Sequence, residues 1–183
     1  VVLLVAAASV GAGLLARQLY TRTAAEPVPM VGPTSAAAVP ATGPPGDPTV
    51  RLTADAAEHP DRDAVHVLLQ RFFDATNQHR YNQWRTTISS AGLAKADPES
   101  SWLSKNESTR DGSIVVQRID PAPGGGLRVL LTFVSVQDPK KAPPELPDSG
   151  CVRWQIVYPL VRENGSFKID FSREIGTAQM ERC

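Results

Sequence analysis

The hydrophobic period of this chain changes once, and that change limits what it can fold into. Between residues 61 and 89 apolar side chains recur at three- and four-residue spacing, and after Gly112 they alternate or run together. The first pattern is a helix with one buried face; the second is a set of strands. In DAVHVLLQRFFDATNQ the buried stripe is Val65, Leu68, Leu69, Phe72 and Phe73, continued by Thr76. His66, Gln70, Arg71 and Asp74 occupy the polar side. Asp61 or Asp63 is placed to cap this helix, which runs to between Asn77 and Arg80. A second short helix is expected over 81–89, with Tyr81, Trp84 and Ile88 at helical spacing. A third turn or helix is expected from Pro98 to about Thr109, carrying Trp102 and Leu103 inward.

Four strands follow. The first covers 113–120 and ends at the breaker cluster PAPGGG. Residues 127–137 are apolar on both faces, which suits the middle of a sheet with a layer on each side. In the stretch 151–161, Val152, Trp154, Ile156, Tyr158 and Leu160 share one face. Asn164-Gly165 then signals a two-residue type I′ turn. That turn sets Leu160 opposite Ile169 and Tyr158 opposite Phe171, both apolar pairs on one face, as a sound register requires. Helices followed by strands predict an α+β domain, with N-terminal helices packed on a curved antiparallel sheet of about four strands.

The first fifty or so residues are of another kind. The run VVLLVAAASVGAGLLA carries no charge, and residues 1–22 read as a transmembrane anchor or signal segment. A cleaved signal peptide and a buried helix are the alternatives. Arg17 and Arg22 taken alone favour a cytoplasmic C-terminal side, whereas the linker and the cysteines favour export. Residues 23–58, dense in Pro and Ala, are expected to form a flexible linker, because few large apolar residues offset the entropy of ordering them. The folded domain is then expected over 59–183, long enough to bury a core without a metal. Net charge is zero and the pI is about 7.0, so no electrostatic footprint for nucleic acid exists.

The run Phe72-Phe73-Asp74-Ala75-Thr76-Asn77 through Tyr81 and Trp84, followed by long strands, resembles nuclear-transport-factor-2-like (cystatin-like cone) domains. With an anchor and linker in front, the layout is similar to actinobacterial membrane-anchored envelope proteins of the mammalian-cell-entry-associated type. It is also similar to inner-membrane scaffold proteins of type IV secretion. The resemblance implies a pocket between helices and concave sheet, for which Tyr81, Trp84, Trp102, Phe133, Trp154 and Tyr158 are the candidate lining. The same residues could instead be a filled core. Ketosteroid-isomerase-like members need an acid or base at the pocket, and Asp170, Asp74 and His79 are the candidates. Strand alternation points Asp170 away from the apolar face, and Asp74 lies toward the polar side of its helix, so no catalytic residue is assigned.

Cys151 and Cys183, with no CxxC spacing, fit one disulfide in an oxidising compartment better than a metal site; two free thiols are the alternative. In the extrapolated hairpin register Cys151 faces Ala178, so the tail must fold back to bring Cys183 near. His59, His66 and His79 lack ligand spacing, and neither metal nor cofactor is expected. The Pro-rich loop 138–150 offers Lys140, Lys141, Glu145 and Asp148 as solvated contacts for a partner. The function expected is a non-catalytic extracytoplasmic binding or scaffold domain, held at the membrane and contacting an envelope protein. The alternative is a carrier of apolar ligands, or an enzyme, using the cone cavity.

Overall fold

The computed structural model describes residues 45–173 and 178–183. The expected anchor at 1–22, and the expected linker as far as residue 44, lie outside these residues. Among the described residues, no helix is long and apolar enough to cross a membrane. The helices are α1 (Ala54–Ala57), α2 (Arg62–Asn77), α3 (Tyr81–Arg85), α4 (Ser90–Leu93) and α5 (Glu99–Asn106). The strands are β1 (Arg51–Leu52), β2 (Arg110–Ala122), β3 (Gly126–Val136), β4 (Cys151–Glu163), β5 (Ser166–Ile169) and β6 (Gln179–Arg182). They form one sheet in the order β1-β2-β3-β4-β5, with β6 also paired to β4.

The class is therefore α+β, as expected, but the sheet is mixed and six-stranded. β1 runs parallel to β2, and the other pairings are antiparallel. The two additions are an edge strand of two residues and a polar one, QMER, neither of which carries an alternating apolar signal. β1 and α1 fall inside the stretch expected to be linker, so the folded unit begins before residue 59. After Pro48 the backbone donors return, and they are used. The Val50 N–H donates to Gln70 Oε1 at 2.8 Å, His66 Nε2 meets the Val50 carbonyl at 3.0 Å, and the Val50 side chain is buried.

The helical stripe is buried as its spacing predicts: Val65, Leu68, Leu69, Phe72, Phe73 and Thr76 all face the core. Asp61 stands before α2 but makes no side-chain cap; its carboxylate accepts instead from Arg162 at 2.9 Å. β3 occupies the middle of the sheet. Leu127, Val129, Leu131, Phe133 and Ser135 are buried on one face, while Leu130, Val134 and Val136 on the other stay partly exposed. The second covering layer expected there is absent among the described residues.

The hairpin turn has φ of 50° at Asn164 and 77° at Gly165, the left-handed pair that a type I′ turn requires. Leu160 faces Ile169 in the expected register. Strand pairing ends at Ile169, so Phe171 is not a ladder partner of Tyr158, although the two rings meet edge-on at 5.5 Å. Beyond this point the extrapolated register fails. The chain returns to β4 only at Gln179, displaced by five residues, so Arg182 faces Val152. That displacement brings Cys183 rather than Ala178 to Cys151, and the two are joined in a disulfide with Cα atoms 5.4 Å apart.

Candidate functional site

α2 lays Phe72 and Phe73 against the sheet, and their rings touch Tyr158 and Phe133 at 5.7 and 5.2 Å. Large rings at successive positions hold the next layer off. Between α2, α3, α5 and strands β2 to β4 there is a cavity of about 430 Å³. Five of the six candidate residues line it: Trp84, Trp102, Phe133, Trp154 and Tyr158. The sixth, Tyr81, stands behind the wall, stacked on Trp84 at 5.7 Å and donating its hydroxyl to the Asp97 carbonyl at 3.2 Å. Trp84 and Trp102 touch at 5.2 Å, and Phe133 stacks on Trp154 at 6.0 Å. Core and cavity are thus not alternatives here: the same rings are buried on one side and form a wall on the other. Aromatic contacts of this geometry add about 0.5–1.5 kcal/mol each beyond their burial, enough to hold the wall in shape.

One carboxylate lines that wall. Asp111, the second residue of β2, is 6 % exposed and lines the cavity. Its backbone is bracketed by the Asn77 side chain, whose Nδ2 donates to the Asp111 carbonyl at 2.9 Å and whose Oδ1 accepts its N–H at 2.7 Å. Ser135 Oγ–H donates to Asp111 Oδ1. Among the described residues, no hydrogen bond reaches Oδ2 and no cation pairs with the carboxylate. Burial pushes its pKa up to about 6, with the Ser135 hydrogen bond opposing the rise. Tyr158 lies close enough that burial first, and the Asp111 charge second, push its hydroxyl upward too.

Alternation counted back from Val116 and Ile114 turns Asp111 outward, and only a bulge reverses it. β2 carries an extra residue between Gly112 and Val115, so Asp111 faces Ser135 while Val116 still faces Leu131. The tight packing at this point, where Gly112 lies beneath the carbonyls of Pro45 and Gly46, is a long-range contact that no local pattern reveals. A readable trace does exist: the Asp-Gly-Ser of 111–113, small and turn-prone, placed inside an otherwise regular strand.

The other acid–base candidates are elsewhere, and none of the three lines the cavity. Asp74 accepts from Gln70 at 3.0 Å, and His79 Nε2 accepts from Arg110 at 2.9 Å. Asp170 is buried rather than merely turned away. It accepts from Ser89, Ser172 and Arg173 at 2.9, 2.6 and 3.0 Å. Burial alone would raise its pKa; the hydrogen bonds outweigh that and hold the carboxyl below its usual range.

The Pro-rich loop is folded onto the mouth. Lys140, Glu145 and Asp148 are exposed, as expected, but Lys141 is not a solvated loop residue. Its Nζ pairs with Glu107 at 2.6 Å and donates to the Ser104 carbonyl, leaving the side chain 22 % exposed. Lys141 and Pro143 both line the cavity. Lys105, also at the mouth, is paired with Asp97 at 2.7 Å. Among the described residues, no group of three His, Cys, Asp or Glu side chains could hold a metal ion. No family model matches the chain, and no curated protein matches it.

Proposed function

We propose that this domain binds a small, largely apolar molecule in the aromatic cavity, with the Asp111–Ser135 pair as its polar anchor. The observation that carries the reading is a cavity of about 430 Å³ walled by aromatic rings, with one buried carboxylate in the wall. Small-molecule sites have this composition: mostly apolar and aromatic lining, a few placed polar groups, and a volume of roughly 300–1,000 Å³. The pocket implied by the nuclear-transport-factor-2-like resemblance agrees with it. The scaffold role expected from the layout is the weaker reading, because it fits a filled core better than an open one. The disulfide supports an oxidising, extracytoplasmic compartment, and the proposed tether at 1–22 would hold the domain at a membrane.

A second reading is favoured by one observation. A carboxyl whose pKa is pushed up to about 6, beside Tyr158, is available as acid and as base near neutrality, as proton-transfer enzymes require.

All three tryptophans of the chain, Trp84, Trp102 and Trp154, line the cavity, so the test needs no label. A library of apolar small molecules is screened by thermal shift, and each hit is titrated against tryptophan emission. Ile156→Trp, which fills the cavity from β4, should weaken every true ligand by about tenfold or more while the fold persists. Hits that bind the variant as well as the wild type, or a screen without hits, would defeat the proposal.

A further inference from the structure

Among the described residues, the charges lining the cavity are paired except at Asp111. The lysines at its mouth are each tied to a carboxylate outside it, Lys105 to Asp97 and Lys141 to Glu107. Asp111 has no such partner among the described residues. Ser135 satisfies Oδ1, and among the described residues no donor reaches Oδ2, in a wall whose largest side chains are aromatic rings. A buried carboxylate is tolerated when it is protonated, or when a cation and further hydrogen bonds compensate it. Among the described residues no cation pairs with Asp111, and a ligand could supply one.

The rings carry the same preference. The faces of Trp and Tyr present the negative side of the ring quadrupole and attract a cation within about 6 Å of the centroid. An anionic ligand would meet both those faces and Asp111. A neutral alcohol could donate to Oδ2 but would leave the charge uncompensated. We infer that the cavity takes an organic cation, an ammonium group carried on an apolar body, with the cationic nitrogen held between Asp111 Oδ2 and the aromatic wall. This rests on the small-molecule reading above and narrows it to one ligand class.

Groups that could confuse a pH titration are few. Of the side chains lining the cavity, Tyr158 on β4, Lys105 on α5 and Lys141 after β3 are ionisable besides Asp111. α2 contributes the neutral Thr76, and Asn77 on the same helix brackets the Asp111 backbone. Tyr158 is pushed upward and both lysines are ion-paired, so Asp111 is the group that changes charge in mildly acidic solution.

The test uses the full chain and two probes of one shape: benzyltrimethylammonium, whose charge does not titrate, and neopentylbenzene, with carbon in place of nitrogen. Both are titrated against tryptophan emission. The expected result is a preference of about tenfold or more for the cation near pH 8, combining the ring faces with the ion pair. Between about pH 7 and pH 5 cation binding should weaken by close to tenfold while the neutral probe is unaffected, since the cation requires ionised Asp111. Asp111→Asn should remove the ion-pair part of the preference, and with it the pH dependence, while retaining the neutral probe. Equal binding of both probes in the wild type, at every pH, would overturn the cation inference and leave the cavity reading standing. Failure of both probes to perturb the emission would overturn both. If Asp111→Asn does not fold, the wild-type pH series decides alone: a flat cation curve refutes the inference.

Discussion

Replacing Asp111 by asparagine removes one charge from the cavity wall while keeping the shape of the side chain. In the folded chain burial raises this carboxyl from 3.8 to about 6, which amounts to about 3 kcal/mol against the ionised form. The sign follows from proton binding. Between the two values the folded state holds the proton more tightly than the unfolded state. The penalty is therefore absent below 3.8, grows as pH rises through about 6, and is constant above that. Asparagine carries no such penalty but weakens the hydrogen bond from Ser135, a loss of about 1 kcal/mol. Asp111→Asn should thus be more stable than the wild type by about 2 kcal/mol near pH 8, and within about 1 kcal/mol of it near pH 4. Urea unfolding of both proteins across that range measures the difference directly, and groups common to both cancel. A difference independent of pH would refute the reasoning, since it would mean that the carboxylate is already compensated. A wild type favoured at high pH would refute it more strongly, by showing that the charge itself stabilises the fold.

Two further perturbations test the frame around the site. Replacing Cys151 and Cys183 together by serine opens a closure of 32 residues and should cost roughly 3–4 kcal/mol by chain entropy, measured in urea. Amide exchange at Gln179–Arg182 should accelerate with it; unchanged stability and exchange would show that the bridge does not clamp β6. Gly112→Ala would set a methyl 2.5 Å from the Gly46 carbonyl oxygen and 2.8 Å from that of Pro45, both backbone atoms. It should cost about 1–3 kcal/mol and expose residues 45–50 to limited proteolysis. Wild-type resistance to protease in that variant would argue that the segment tolerates displacement.

The parts of the fold legible in advance are those whose cause is local. The α2 stripe from Val65 to Phe73 follows from helical spacing alone. The Leu160–Ile169 pairing follows from Asn164-Gly165, whose left-handed geometry dictates both the turn and the register beside it. The pocket residues were legible in a weaker sense: five of six aromatic positions reach the cavity, because a residue on the inner face of a helix or strand meets either core or cavity. β1 and β6 left no signal, being too short or too polar for any period. They exist because backbone groups of β2 and β4 were there to pair with.

The chain by itself determined the class of the fold, the buried faces and the cysteine pair, since side-chain period and turn chemistry act within a few residues. Tertiary structure alone decided that the wall contains a buried carboxylate. One extra residue in β2, just after Gly112 where that glycine packs beneath the carbonyls of Pro45 and Gly46, reverses the parity of the strand and turns Asp111 inward. It also decided that Lys141 leaves the solvent for Glu107 and the cavity mouth. Both outcomes depend on groups distant in sequence being brought together. A bulge and a folded-down loop are long-range facts, and hydrophobic period carries no information about them.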